Sequence, residues 1–154
     1  MNLFEPKRLK RLKDKDDVFR FLDARSEKGG FFNTFFDIYI FALSLGVKHN
    51  NKVKLEGSTS DSIHIVQFTD EHKKYMDMVI IHDSNGNIEK LDKSNEDNVL
   101  TMLQTIEEYT NGGLEILLKT IQNHPENAFE QILLLLKDEL ASDIPPEAIE
   151  DISW

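Results

Sequence analysis

Glu107-Glu108-Tyr109-Thr110-Asn111-Gly112-Gly113-Leu114-Glu115-Ile116-Leu117 is the stretch on which the fold turns. Apolar residues at helical spacing lead into it from Val99 through Leu103 and Ile106, and resume in Ile116, Leu117 and Ile121. Two adjacent glycines lie between. Glycine takes positive φ at little cost and often closes a helix C-terminus. The residues therefore predict a helix ending at Tyr109, a two-glycine corner, and a further helix opening at Leu114. At such a corner the N–H groups of Gly112, Gly113 and Leu114 would begin a helix and could hold an anion. The competing reading is that Asn111 or a neighbouring carboxylate caps them.

Outward from the corner, the other elements follow from punctuation and period. A first helix is expected over 14–26, with Val18, Phe19 and Leu22 on one face and Lys28-Gly29-Gly30 as its end. Thr34 is an N-cap with Asp37 three residues on. Phe35, Ile38, Ala42 and Leu45 then recur at helical spacing, and Gly46 stands where a terminating glycine would. Phe31, Phe32, Phe35, Phe36 and Phe41 read as core aromatics, with base stacking as the alternative. Residues 47–62 are polar and loop-like. Ile63-His64-Ile65-Val66-Gln67-Phe68 has strand propensity, but no partner strand is visible. It reads instead as an extended segment that plugs Ile65 and Phe68 into the core.

Thr69 caps a helix over 70–82, and Asp83-Ser84-Asn85-Gly86 is a turn suited to positive φ. That turn is not a calcium loop, because the position that needs glycine is Ile88. Ser94 is expected to cap the next helix. Asn123-His124-Pro125 stops the helix after the corner, and Phe129, Ile132, Leu133, Leu136 and Leu140 mark a last one over 126–140. Leu134 and Leu135 widen its apolar face, which is then either central or covered by a partner. The fold class is all-α or mainly α, with at most one short strand or hairpin, in a compact domain of five to seven helices. The expected organisation is a basic arm (1–13), one helical domain (14–140) and an acidic tail (141–154).

Charge is uneven. The chain carries 18 Lys and Arg against 28 Asp and Glu, a net of −10. Lys7, Arg8, Lys10, Arg11, Lys13 and Lys15 face only Glu5 and Asp14 in the first 15 residues, a net of +4. The remainder therefore carries −14. An acidic body repels phosphate backbones, whereas the basic segment could contact nucleic acid or dock on an acidic surface. Lys48, Lys52 and Lys54 form a second small basic spot. The acidic end, with Ile149, Ile152 and Trp154, is either a docking motif or a frayed terminus.

Reactive chemistry is sparse. With no cysteine there is no disulfide, thiolate zinc site or cysteine nucleophile, which fits a reducing cytoplasm. No apolar run follows the basic N-terminus as in a signal peptide, and none is long enough to span a bilayer. His49, His64, His72, His82 and His124 lack ligand spacing. Phosphate-loop, dinucleotide and nucleophile-elbow motifs are absent from the sequence. No catalytic, cofactor or metal residue is expected, and no cofactor.

Three strings together resemble a known family. They are Thr34…Asp37…Phe41-Ala42-Leu43-Ser44-Leu45-Gly46, the Ile65…Phe68 segment ahead of Val79-Ile80-Ile81, and the 107–117 run. They are similar to small bacterial proteins encoded beside DNA phosphorothioation (Dnd) and related phage-defence systems. The likeness covers roughly residues 30–122. It implies a cytoplasmic, non-enzymatic accessory of anti-phage defence, working through contacts with other defence proteins. It also favours contact with DNA or a DNA-processing partner. The nucleic-acid candidates are Lys7, Arg8, Lys10, Arg11, Lys13, Lys15, Lys48, Lys52 and Lys54. The partner-contact candidates are Leu134, Leu135, Ile149, Ile152 and Trp154, with homo-oligomerisation open.

Overall fold

The structure, a computed structural model, describes residues 1–25 and 30–143, with side chains through Asp138. The chain divides into two compact units, Met1–Leu118 and Lys119–Trp154. The helices among the described residues are α1 (Asp16–Leu22), α2 (Phe35–Lys48), α3 (Asp70–Asp83), α4 (Glu96–Asn123) and α5 (Ala128–Asp143). The expectation of a mainly α fold holds. The described sheet has two strands, β1 (Arg8–Leu9) and β2 (Ile63–His64), paired antiparallel with Arg8 opposite His64 and Leu9 opposite Ile63.

In the first unit, α2 begins where its cap requires. The Thr34 hydroxyl oxygen accepts the Asp37 N–H at 3.1 Å and donates to the Asp37 carboxylate at 2.7 Å. Thr69 likewise accepts the His72 N–H at 3.2 Å and opens α3. Two expected boundaries move. Asn95, not Ser94, caps α4, accepting the Asn98 N–H at 3.1 Å. The Ser94 N–H and hydroxyl are already bonded to Asp92. α1 spans only Asp16–Leu22, shorter than the expected 14–26, because Asp23 turns extended. The backbone beyond it then bonds to Phe32, with Ala24 N–H to Phe32 O at 2.8 Å and Phe32 N–H to Leu22 O at 3.0 Å. Lys28 and Gly29, the expected stop, lie outside the described residues.

The two-glycine corner does not exist. α4 runs through it without a break. A Cβ on Gly113 would sit 1.7 Å from the Ala42 carbonyl oxygen, and one on Gly112 would sit 1.8 Å from that of Asn51. Gly46 meets α4 from the other side, where its Cβ would sit 1.8 Å from the Tyr109 carbonyl oxygen. All three glycines are there because two backbones touch, not because the chain turns. Gly46 accordingly lies inside α2, which closes on Asn50 instead. Asn50 has φ 48°, and the N–H groups of Asn50 and Asn51 return to Val47 and Gly46 at 3.0 and 2.8 Å.

The core of this unit gathers Phe19, Leu43, Ile65, Met76, Met102 and Ile106, each at most 1% exposed. Burying an apolar side chain of this size contributes roughly 1.5–3 kcal/mol. Ile65 and Phe68 do enter this core, as expected. The unforeseen feature is that Ile63–His64 finds its strand partner in the basic N-terminal segment. Phe4, Leu9 and Leu12 of that segment are buried. Leu12 faces Thr59 across an isolated bridge, so three residues (60–62) oppose two (10–11).

Candidate functional site

The basic segment is the first candidate surface. Its backbone is gripped by two helices at Lys10. The Lys10 N–H donates to the Glu107 carboxylate of α4 at 2.8 Å, and its carbonyl accepts the Tyr39 hydroxyl of α2 at 3.2 Å. Burial raises the Glu107 carboxyl above the usual carboxylate range, against the lowering effect of the Lys10 N–H. Burial also raises the fully enclosed Tyr39 hydroxyl, with the Glu107 charge adding to it.

The structure sorts the six cations of this segment. Arg11 is internal: its guanidinium pairs with Asp16 at 2.9 Å and lies 4.4 Å over the Phe19 ring and 5.6 Å from Phe35. Asp16 is held in place by the Ser60 hydroxyl at 2.6 Å. Lys15 is 4% exposed and pairs with Asp14 at 3.2 Å. Lys7 is half-buried. Arg8, Lys10 and Lys13 are exposed. Beside Lys13 an open hollow of about 320 Å³ is lined by Leu12, Asp14, Glu56 and Ser58.

In the second basic spot, Lys48 and Lys54 are exposed. Lys52 donates to both carboxylate oxygens of Asp83, at 3.0 and 3.2 Å. Tyr109 donates to the same carboxylate at 3.0 Å, and Lys52 lies 5.2 Å over its ring. Burial, then Asp83, pushes the Tyr109 hydroxyl up to about 12. Sequence gave no signal for this Lys52–Asp83–Tyr109 group, since its members are 26 and 31 residues apart. Next to it, Ile80 and Met102 floor a small hollow of about 190 Å³ rimmed by Asp83, Lys90, Asn98 and Thr101.

The 107–117 run supplies internal ties. Asn111 is 3% exposed and donates to the carbonyls of Val53 and Lys54 at 3.2 and 3.3 Å. Asn51 donates to the Gly112 carbonyl at 3.0 Å. Within a continuous helix the N–H groups of Gly112, Gly113 and Leu114 point along the axis to preceding carbonyls. With no helix start there, neither the anion site nor the competing cap by Asn111 or a neighbouring carboxylate exists.

In the second unit, α5 buries Ala128 and Ile132. Phe129, Leu133 and Leu134 are 37%, 47% and 44% exposed, and Leu135 is half-buried. Ile149, Ile152 and Trp154 lie outside the described residues. No group of three or more His, Asp or Glu placed to hold a metal ion occurs among the described residues. No helix among them is long and apolar enough to cross a membrane.

Residues 8–153 match the family model of DNA sulphur modification system-associated protein 4. The chain belongs to that family, whose members are associated with a DNA sulphur modification (Dnd) system. The match extends the resemblance, which rested on 30–122, across β1 and α5. No curated protein and no solved structure matches the chain.

Proposed function

We propose that this protein is a cytoplasmic, non-enzymatic accessory of the DNA sulphur modification system, working by docking on other proteins through α5. The observation that carries this reading is the adjacent pair Leu133 and Leu134, large apolar side chains 47% and 44% exposed on one helix. Single exposed apolar residues are ordinary, but two adjacent leucines form a surface that gains by being covered. The internal chemistry points the same way. The perturbed groups Glu107, Tyr39 and Tyr109 are engaged in holding secondary elements together.

The test is co-expression of the tagged chain with the other proteins of the system, followed by purification. Wild type retains at least one of them, and Leu133→Glu with Leu134→Glu loses it while keeping the wild-type circular dichroism. Equal retention by the double variant sinks the docking reading.

A second reading has its own observation. Arg8 and Lys13 are exposed, with no carboxylate at ion-pair distance among the described residues, on a protein of net −10. Lys10, between them in sequence, is exposed as well. In this reading the N-terminal strand contacts a phosphate backbone. Replacing Arg8, Lys10 and Lys13 with glutamine then removes DNA binding and its steep salt dependence. Replacing Arg11 or Lys15 instead costs stability, since both are structural.

A further inference from the structure

We infer that the hollow between α3 and α4 is a docking site for a basic segment of another protein, which seats one aliphatic side chain there. Ile80 of α3 and Met102 of α4 form its floor, 4% and 1% exposed. Its volume is about 190 Å³. An apolar cavity of roughly 150 Å³ admits a molecule the size of benzene, whereas whole small-molecule ligands usually need about 300–1,000 Å³. The hollow therefore suits a single leucine, isoleucine or methionine side chain, acting as the anchor of a larger contact. Thr105 points to an occupant independently. It lines the hollow, is 4% exposed, and its hydroxyl makes no hydrogen bond among the described residues. Thr101, one turn earlier, is exposed and does bond, donating to the Asp97 carbonyl at 2.9 Å. A buried hydroxyl without a partner is destabilising, and a polar atom of an incoming segment would satisfy it.

Charge selects the segment. Asp83, on the rim, is already matched by Lys52. The side bordered by Lys90 and Asn98 differs. Those two residues also border a larger polar hollow of about 460 Å³, which Glu89 and Asp92 line. Glu96 and Asp97 follow in the first turn of α4. All four carboxylates are exposed, with no cation at ion-pair distance among the described residues. They outnumber Lys90, so this rim repels a phosphate backbone and attracts a lysine or arginine beside the anchor. The occupant is thus an aliphatic residue flanked by basic ones. The site lies wholly within the first unit and does not depend on α5.

The experiment is methyl NMR of the full chain, following the Ile80 and Met102 methyl groups as pentapeptides are added that carry leucine, isoleucine or methionine between two pairs of lysines. Both methyls shift and the shifts saturate. Alanine at the centre weakens binding about tenfold or more, and glutamates in place of the lysines abolish it. Thr101→Phe fills the hollow and removes the response, and Glu89→Lys weakens binding about three- to tenfold. Thr105→Val weakens it about fivefold, yet its denaturation midpoint equals or exceeds that of wild type, because the hydroxyl has no bond to lose within the fold. Methyls unmoved by all three peptides at millimolar concentration, an equal response to the alanine peptide, or the same shifts produced by duplex DNA overturn the inference. So does a Thr105→Val variant that is destabilised and binds as tightly as wild type, since its hydroxyl would then serve the fold. Leu133→Glu with Leu134→Glu leaves the shifts intact, so this site and the α5 reading fail independently.

Discussion

Asn85-Gly86 and Asn111-Gly112 are the same dipeptide in opposite roles. The first closes α3. Asn85 and Gly86 have φ of 54° and 86°, their N–H groups return to His82 and Ile81, and a Cβ on Gly86 meets nothing within 4 Å. The second lies in the middle of a helix, buried, where a Cβ on Gly112 or the adjoining Gly113 would strike backbone. At one site glycine serves for its conformational freedom, at the other for the volume it does not occupy. The neighbouring asparagines divide likewise. Asn85 tolerates the left-handed region, whereas Asn111 uses its amide to bond the Val53 and Lys54 carbonyls.

Substitutions sharpen this contrast, read as shifts of the denaturation midpoint. Gly113→Ala has the largest expected effect, a loss of about 3 kcal/mol. The clash is with backbone, which cannot rotate away, and it exceeds the roughly 1 kcal/mol of helix propensity that alanine adds. A neutral or stabilised Gly113→Ala breaks the comparison. Asn111→Ala follows, at about 1–2 kcal/mol, through loss of buried hydrogen bonds to the Val53 and Lys54 carbonyls. Gly86→Ala costs about 1 kcal/mol, from the left-handed backbone alone. Asn85→Gly is expected within about 0.5 kcal/mol of wild type, because glycine suits that position equally.

The smallest effect is a pH dependence beside the crossing. Burial favours the neutral form of Glu107, so its ionisation subtracts from stability as pH rises through its raised value. Below the ordinary glutamate value of 4.5 that loss is absent. Glu107→Gln keeps an acceptor for the Lys10 N–H without the charge. It is expected to be slightly more stable than wild type at neutral pH and equal to it in acid. A variant less stable at neutral pH shows that the carboxylate's bond to Lys10 outweighs its burial.

Local signals were legible where the physics is local. Thr34 and Thr69 cap helices because the groups they bond lie three residues away, and Asn85-Gly86 turns because nothing packs on it. Gly112-Gly113 misleads because its reason lies more than sixty residues earlier, at Ala42 of α2 and at Asn51 just beyond that helix. Periodicity did carry a warning. The apolar spacing from Val99 to Leu117 holds across the glycines without a shift of phase, as one helix requires. The strand partner of Ile63–His64 was hidden in the same way, within a segment whose lysines and arginines suggested a solvated arm. Nor could composition separate Arg11 and Lys15, which are structural, from exposed Arg8 and Lys13. For α5 the apolar excess was visible in sequence, and the exposure of Leu133 and Leu134 shows which part of it faces outward.

The central claim is that the 107–117 run is a packing device rather than a ligand-binding corner, which leaves function to the outer surfaces. Amide hydrogen exchange at Gly112, Gly113 and Leu114, with and without inorganic phosphate, tests it most directly. Slow exchange matching that of Ile106 and Leu117, unchanged by phosphate, is the predicted result. Fast exchange at those three amides, slowed by phosphate, would restore the corner and its anion site and contradict the account.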